Sequence, residues 1–194
     1  MFIDYTQYPF LNKFVDNINT ISEEFEQANT SLKDLHLFVN DVNPTIFNHV
    51  DYWIKDNRFH PDDIGYEARE GIWGAFPLYK MGYPINWYNV KEHFPKTYEL
   101  LKTVPNLNFA SFMRLDSQAK TMPHKHQMKN NIFHLLLNDL DKPCFFNVNG
   151  QETSLQFKGD ALLFDYSLEH SSFNASSDTR ITFTIDFDPF FLIN

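Results

Sequence analysis

From residue 109 onward the chain breaks into short apolar segments divided by turn chemistry, and this rhythm constrains the fold more than any other feature of the sequence. The segments 109–115, 132–137, 144–148, 154–157, 161–164 and 181–187 read as strands. Their separators at 138–141, 149–150, 158–160 and 174–178 are dominated by Gly, Asn, Asp, Ser and Lys, and Asn149-Gly150 is the strongest hairpin signal among them. Short strands at near-regular spacing predict a sandwich or barrel rather than a parallel sheet with crossover helices. In the last segment Ile181, Phe183, Ile185 and Phe187 share one face and Arg180, Thr182, Thr184 and Asp186 the other. The apolar row is expected to pack under helices supplied by the N-terminal part.

Those helices are legible as 3.6-residue periodicity. Phe10, Leu11, Phe14, Val15, Ile18, Ile21 and Phe25 predict an amphipathic helix over 9–28, with Glu23, Glu24 and Glu26 interspersed late in the run. Weaker patterns predict a second helix over 44–54 and a third from 88 or 95 to 104, stopped by Pro105-Asn106. Between them 72–79 reads as extended, with Pro77 arguing for an edge position. The fold class expected is mainly β with N-terminal helices (α+β). It should form one domain, 1–194, with 1–70 a helical segment packed on the barrel and 70–194 the barrel itself. A chain of 194 residues with 21 Phe and 43% hydrophobic residues has the apolar material for such a core.

Charge and cysteine narrow the function classes. A formal charge of −9 with only 16 scattered basic residues argues against a nucleic-acid partner. The single cysteine, Cys144, excludes an internal disulfide framework, fits a reducing compartment, and reads as a packed core thiol. No signal sequence is visible at the N-terminus and no apolar run approaches the roughly 20 residues of a membrane helix, so the expectation is a cytoplasmic protein without a membrane partner. Nothing in the sequence speaks to oligomeric state.

The chemistry concentrates in histidines. His124 and His126, at i and i+2 of an extended segment, present two imidazoles to one ion, and a third ligand must come from elsewhere. His170 is the candidate, with Arg180 ten residues later; a hairpin centred near Ala175 would set the two opposite each other on paired strands. Imidazoles suit a borderline metal, and a guanidinium fork matches a carboxylate, so a dicarboxylate can bridge them. The bland alternative for Arg180 is a surface pairing with Asp178. His36, His49, His60 and His93 show no metal spacing and are set aside.

The run from Gly159 through Asp165 to His170, followed by Arg180 and then Ile181-Thr182-Phe183-Thr184-Ile185-Asp186, resembles the signature of the aspartyl/asparaginyl β-hydroxylases. Looser matches lie upstream at Pro123-His124, at 109–113, at 95–101, and at Trp73 with Phe76, Leu78 and Gly82, so the resemblance spans roughly 70–190. It implies an iron(II)- and 2-oxoglutarate-dependent oxygenase on a double-stranded β-helix, a jelly-roll, cupin-like barrel. It further implies that His124 and His170 bind the metal, that Arg180 grips the distal carboxylate of 2-oxoglutarate, and that His134 and Ser111 contact the same cosubstrate. Asp165 matches a family Asp, although a turn-capping carboxylate is the simpler reading.

Two departures stand out. The family has glycine two residues after the first metal histidine, where this chain has His126, which either completes a three-histidine face or turns away to support the metal ligands from behind or to meet the substrate. The family also has an arginine two residues before His134, where this chain has Ile132; Lys129 and Arg114 are the nearest replacements. Trp73, Tyr79, Tyr83, Trp87 and Tyr88 either line a dry cavity or simply pack helices onto the barrel. The substrate class implied is an amino acid, a peptide or another small molecule, with an acidic chain favouring a cationic or neutral one. The rival readings are a cupin-like three-histidine enzyme that uses no keto acid, and a non-enzymatic barrel that holds zinc or a small acid. Structural zinc sites typically include cysteine, and Cys144 lies outside the histidine spacing.

Overall fold

The computed structural model describes residues 1–31, 69–70, 73–80, 83–84 and 90–189. In chain order the strands are β1 (Phe2–Ile3), β2 (Arg69–Glu70), β3 (Trp73–Lys80), β4 (Tyr83–Pro84), β5 (Leu107–Leu115), β6 (Lys120–His124), β7 (Asn131–Leu136), β8 (Cys144–Val148), β9 (Gln151–Leu155), β10 (Ala161–Asp165), β11 (His170–Asn174) and β12 (Arg180–Phe187). The helices are α1 (Pro9–Asp16), α2 (Ile18–Ser31), α3 (Val90–His93) and α4 (Pro95–Leu101). The helix expected over 44–54 lies outside the described residues.

Strand order identifies the architecture. One sheet runs β1-β10-β7-β12-β5-β3-β4 and the other β2-β6-β11-β8-β9. From β5 onward the chain alternates between the sheets, apart from the β8–β9 hairpin, and successive pairings are antiparallel. That alternation is the winding of a double-stranded β-helix, here two facing sheets of a jelly-roll. The β8–β9 hairpin turns on Asn149 and Gly150, both at positive φ (49° and 80°), as a type I′ turn requires. β3 is joined by β4 only at Tyr79 and Lys80, so Pro77 falls in its otherwise edge-like part, next to a register shift.

Two apolar layers follow from the alternation. Phe183, Ile185 and Phe187 of β12 join Phe112, Phe133 and Leu163 in a core that packs beneath α1 and α2. Leu115, Ile132, Leu136, Leu162 and Phe164 point the other way and meet Cys144, Phe146 and Val148 between the sheets. Phe14 of α1 stacks on Phe183 with ring centroids 5.6 Å apart.

The N-terminal helix is broken where continuity was expected. The Asn17 side chain donates to the Lys13 carbonyl at 2.8 Å, a local bond that competes with the helix ladder, and α2 restarts immediately after it. Glu24 is buried at 8% exposure: its carboxylate accepts from the Lys96 and Thr97 backbone N–H groups (2.7 and 3.0 Å) and from the Thr97 hydroxyl (2.7 Å). It thereby caps the first turn of α4 and ties α2 to the segment leading into the sheets. No helix among the described residues is long and apolar enough to cross a membrane.

Candidate metal centre

The five-stranded sheet supplies the histidines. His124 closes β6 and His170 opens β11, and the two are directly paired across the ladder. Two residues farther on, Ser172 pairs with Thr121, so β6 carries one extra residue in this interval. This bulge falls at Met122-Pro123 and turns both Thr121 and His124 into the buried layer, which plain alternation would not do. Thr121 Oγ1 closes it by accepting from the Ser172 N–H at 2.9 Å, with the two hydroxyls 3.0 Å apart.

Backbone carbonyls fix the tautomers of both paired histidines. His124 Nδ1–H donates to the Met122 carbonyl at 2.8 Å and His170 Nδ1–H to the Leu168 carbonyl at 2.7 Å. Each Nε2 is left as the lone-pair nitrogen, which is how metal-binding imidazoles are oriented. His126, in the chain just past β6, stacks on Tyr166 at 3.4 Å between centroids, and one ring nitrogen from each of His124, His126 and His170 lies within 4.8 Å of the others. Burial, together with the neighbouring His124, holds His126 and His170 well below the ordinary histidine pKa. Both are therefore neutral at pH 7, the form in which imidazole binds metal.

The seven-stranded sheet supplies a facing polar row. Along the interior side of β12 lie Arg180, Thr182, Thr184 and Asp186; Thr184 is flanked in register by Ser111 and His134, and Asp186 by Phe109 and Ile132. Arg180 is 2% exposed, with Nη1 on the Cys144 sulfur at 3.6 Å and the guanidinium over the Phe146 ring at 5.3 Å. Among the described residues no carboxylate pairs with it, and its Nε has no hydrogen-bond partner, nor do Ser111 Oγ, Thr182 Oγ1 and Asp186 Oδ1. Each such neutral group costs about 1–3 kcal/mol, and an uncompensated buried charge costs on the order of several kcal/mol. These bare atoms lie on one face of the sheet, Arg180, Thr182 and Asp186 on β12 and Ser111 on the neighbouring β5. His134, 3.3 Å from the Thr184 hydroxyl, is kept neutral by burial first and by Arg180 and His170 next.

A cavity of about 40 Å³ lies between the two sets, lined by His124, His170, His134 and Arg180 together with Trp73, Ile132, Phe164 and Tyr166. The family model described as aspartyl/asparaginyl beta-hydroxylase matches residues 15–189. The chain belongs to this family. Among solved structures it is similar to an oxalate decarboxylase, described as predicted, from Thermotoga maritima (16% identity, TM-score 0.43, covering 62% of this chain and 84% of that one). It is likewise similar to the Cnp3 cupin domain of Schizosaccharomyces pombe (10%, 0.42, 62% and 67%) and to KdgF from Halomonas sp. (14%, 0.39, 60% and 82%). No curated protein matches it.

Membership in the hydroxylase family reaches farther toward the N-terminus than the motifs near His170 imply, since the match takes in α2. The structure brings His124, His134, His170 and Arg180 to one cavity, with His126 beside His124 and His170 and with Ser111 across β12 from His134. It corrects the route between His170 and Arg180. β11 and β12 belong to different sheets, so the two residues face each other across the interior and not along a hairpin; the segment 175–179 crosses between layers instead of turning back. Arg180 is buried and not paired with Asp178. Asp165 accepts from the Ser167 N–H and hydroxyl (2.9 and 2.7 Å), a turn cap.

Ile132 lines the cavity where the hydroxylase family has its arginine, and neither proposed replacement stands in for it. Arg114 pairs in register with Ile181, on the helix side of the sheet, and forms a bidentate ion pair with Asp116 (2.5 and 2.8 Å); Lys129 is exposed. Of the aromatics, Trp73 lines the cavity and Tyr79 packs on the helix-side core, whereas Trp87, Tyr88 and the Tyr83 side chain lie outside the described residues. His93 is in α3, and His36, His49 and His60 are likewise not described. Sequence reasoning missed Cys144 as a neighbour of Arg180, and missed Thr182 and the Thr121–Ser172 pair. The signal for Thr182 was present: a polar residue on the face of β12 opposite the core row.

Proposed function

We propose that this hydroxylase-family chain is an iron(II)- and 2-oxoglutarate-dependent oxygenase that hydroxylates a C–H bond of an amino acid, peptide or small molecule, releasing succinate and CO2. The observation that carries the reading is Arg180: a guanidinium buried with no carboxylate partner among the described residues, facing neutral imidazoles across one cavity. A diacid supplies the missing counterion and reaches toward the metal with its other end. His124, His170 and His126 would hold the metal, which when bound supplies the redox chemistry of oxygen activation. Arg180 would take the distal carboxylate, with Ser111 Oγ within the same polar row as a further donor, and neutral His134 would orient the chain of the cosubstrate. Trp73, Phe164 and Phe146 keep this space apolar and so exclude water from it.

The tightness of the cavity favours a second reading. About 40 Å³ is the room of a water or two, so a five-carbon diacid must also use the mouth or displace side chains; a three-histidine enzyme acting on a smaller ligand without a keto acid needs no such movement. A crystal structure with manganese(II) and N-oxalylglycine separates them. The proposal expects the metal on His124, His126 and His170 and the far carboxylate in a two-point contact with Arg180. An analogue bound elsewhere, or Arg180 still bare beside a bound metal, would favour the second reading.

A further inference from the structure

We infer that Asp186 determines substrate specificity by binding a cationic group, an ammonium or guanidinium, of the molecule to be oxidised. The inference rests on reading the interior cavity as the oxygenase site. Asp186 lies at the far end of the β12 row from Arg180, six residues and so roughly 20 Å along the strand, beyond the reach of that guanidinium. Its in-register neighbour Ile132 forms part of the cavity wall, so the carboxyl stands one strand from that wall.

The carboxyl is 3% exposed and half-satisfied. Asn108 Nδ2 donates to Oδ2 at 3.0 Å and the Asn130 side chain also hydrogen-bonds the group, while Oδ1 has no partner. Both donors are neutral amides, and Asp188, a charge of the same sign, also acts on it. Burial raises its pKa to about 6, so at pH 7 it is mostly an anion that no cation among the described residues neutralises. Among the described residues the interior therefore carries two uncompensated charges at opposite ends of one strand face. An acid end-group answers Arg180; a cation answers Asp186, and charge-assisted hydrogen bonds are about twice as strong as neutral ones. Asn130 lies four residues after His126, so the same loop that carries the third histidine also buttresses the carboxyl. The chain's net charge of −9 further favours arrival of a cation.

The test uses n-butylammonium, with butyrate as its control, on the full chain loaded with manganese(II), binding being read by ligand-observed NMR. Butylammonium is expected to bind the wild type and to bind Asp186→Asn at least about tenfold more weakly, with butyrate binding neither at this position. Asp186→Asn keeps the shape and acceptor oxygen that Asn108 needs. A second measurement needs no variant: the Asp186 carboxyl 13C signal should shift with butylammonium and not with butyrate. Equal binding to both proteins, or an unmoved carboxyl signal, overturns the inference and leaves Asp186 a structural anchor for Asn108 and Asn130. A parallel 2-oxoglutarate titration keeps the two readings apart: lost cosubstrate binding with retained butylammonium binding would sink the oxygenase reading alone.

Discussion

Strand β12 presents two faces built on opposite principles. On its outer side Phe183, Ile185 and Phe187 are fully buried and matched by apolar partners, with Phe183 stacked on Phe14 and tilted against Phe112 at 5.2 Å. On its inner side Arg180, Thr182 and Asp186 are as deeply buried, yet each keeps a polar atom bare. Burial alone does not separate a core from a site; satisfaction does. The outer face lowers the free energy of the folded chain by itself, whereas the inner face gives up stability by leaving buried polar atoms and a charge without partners among the described residues.

The sharpest way to break this contrast is to truncate on each side. Phe183→Ala should cost about 3–5 kcal/mol in urea unfolding, because the ring leaves a cavity between helix and sheet that cannot collapse. Arg180→Met should change stability in the opposite direction, gaining about 1–4 kcal/mol from removing an unpaired buried charge, while anion binding is lost. Should Arg180→Met destabilise the chain, the inner face would be a structural one after all.

Acidification gives a smaller effect with a defined sign. The folded pKa values of His126, His134 and His170 are held below the ordinary 6.5, so below about pH 6.5 the unfolded chain takes up protons first and stability falls as pH falls toward the folded values. Asp186 works the other way: between about 6 and 3.8 the folded chain holds the extra proton, which favours folding. The histidines outnumber it, leaving a net loss of about 1 kcal/mol per pH unit for each uncompensated group. Chemical denaturation from pH 7 to 5 measures the slope, and manganese(II), which binds only the neutral imidazoles, should raise stability at pH 7 and steepen the loss on acidification.

Much of this was written in local pattern. The strand over 144–148, the Asn149-Gly150 turn and the two faces of β12 follow from period-two alternation and turn chemistry, and they are where the structure has them. β6 was legible only as the extended segment that carries His124 and His126, and neither it nor β11 had readable bounds, because Pro123, the polar residues of 170–172 and the bulge all dilute the alternation. The hairpin expected near Ala175 failed for a related reason: turn residues signal a reversal but not which sheet the returning strand joins, and in this fold it joins the other. Cys144 looked like plain core since its partner, Arg180, lies thirty-six residues on and in the opposite sheet. The break at Asn17 was hidden by apolar periodicity that runs straight through it, while the hydrogen bond to Lys13 is invisible to periodicity.

The central claim is that neutral imidazoles and an unpaired guanidinium jointly hold a metal-chelated keto acid. Anaerobic titration of the full chain with iron(II) and then 2-oxoglutarate tests it most directly. The expected result is the weak visible charge-transfer band of a chelated keto acid, present in the wild type and abolished in Arg180→Ala with metal binding intact. A folded, iron-loaded wild type that gives no band, or an Arg180→Ala variant that gives the same band at the same 2-oxoglutarate concentration, would contradict it.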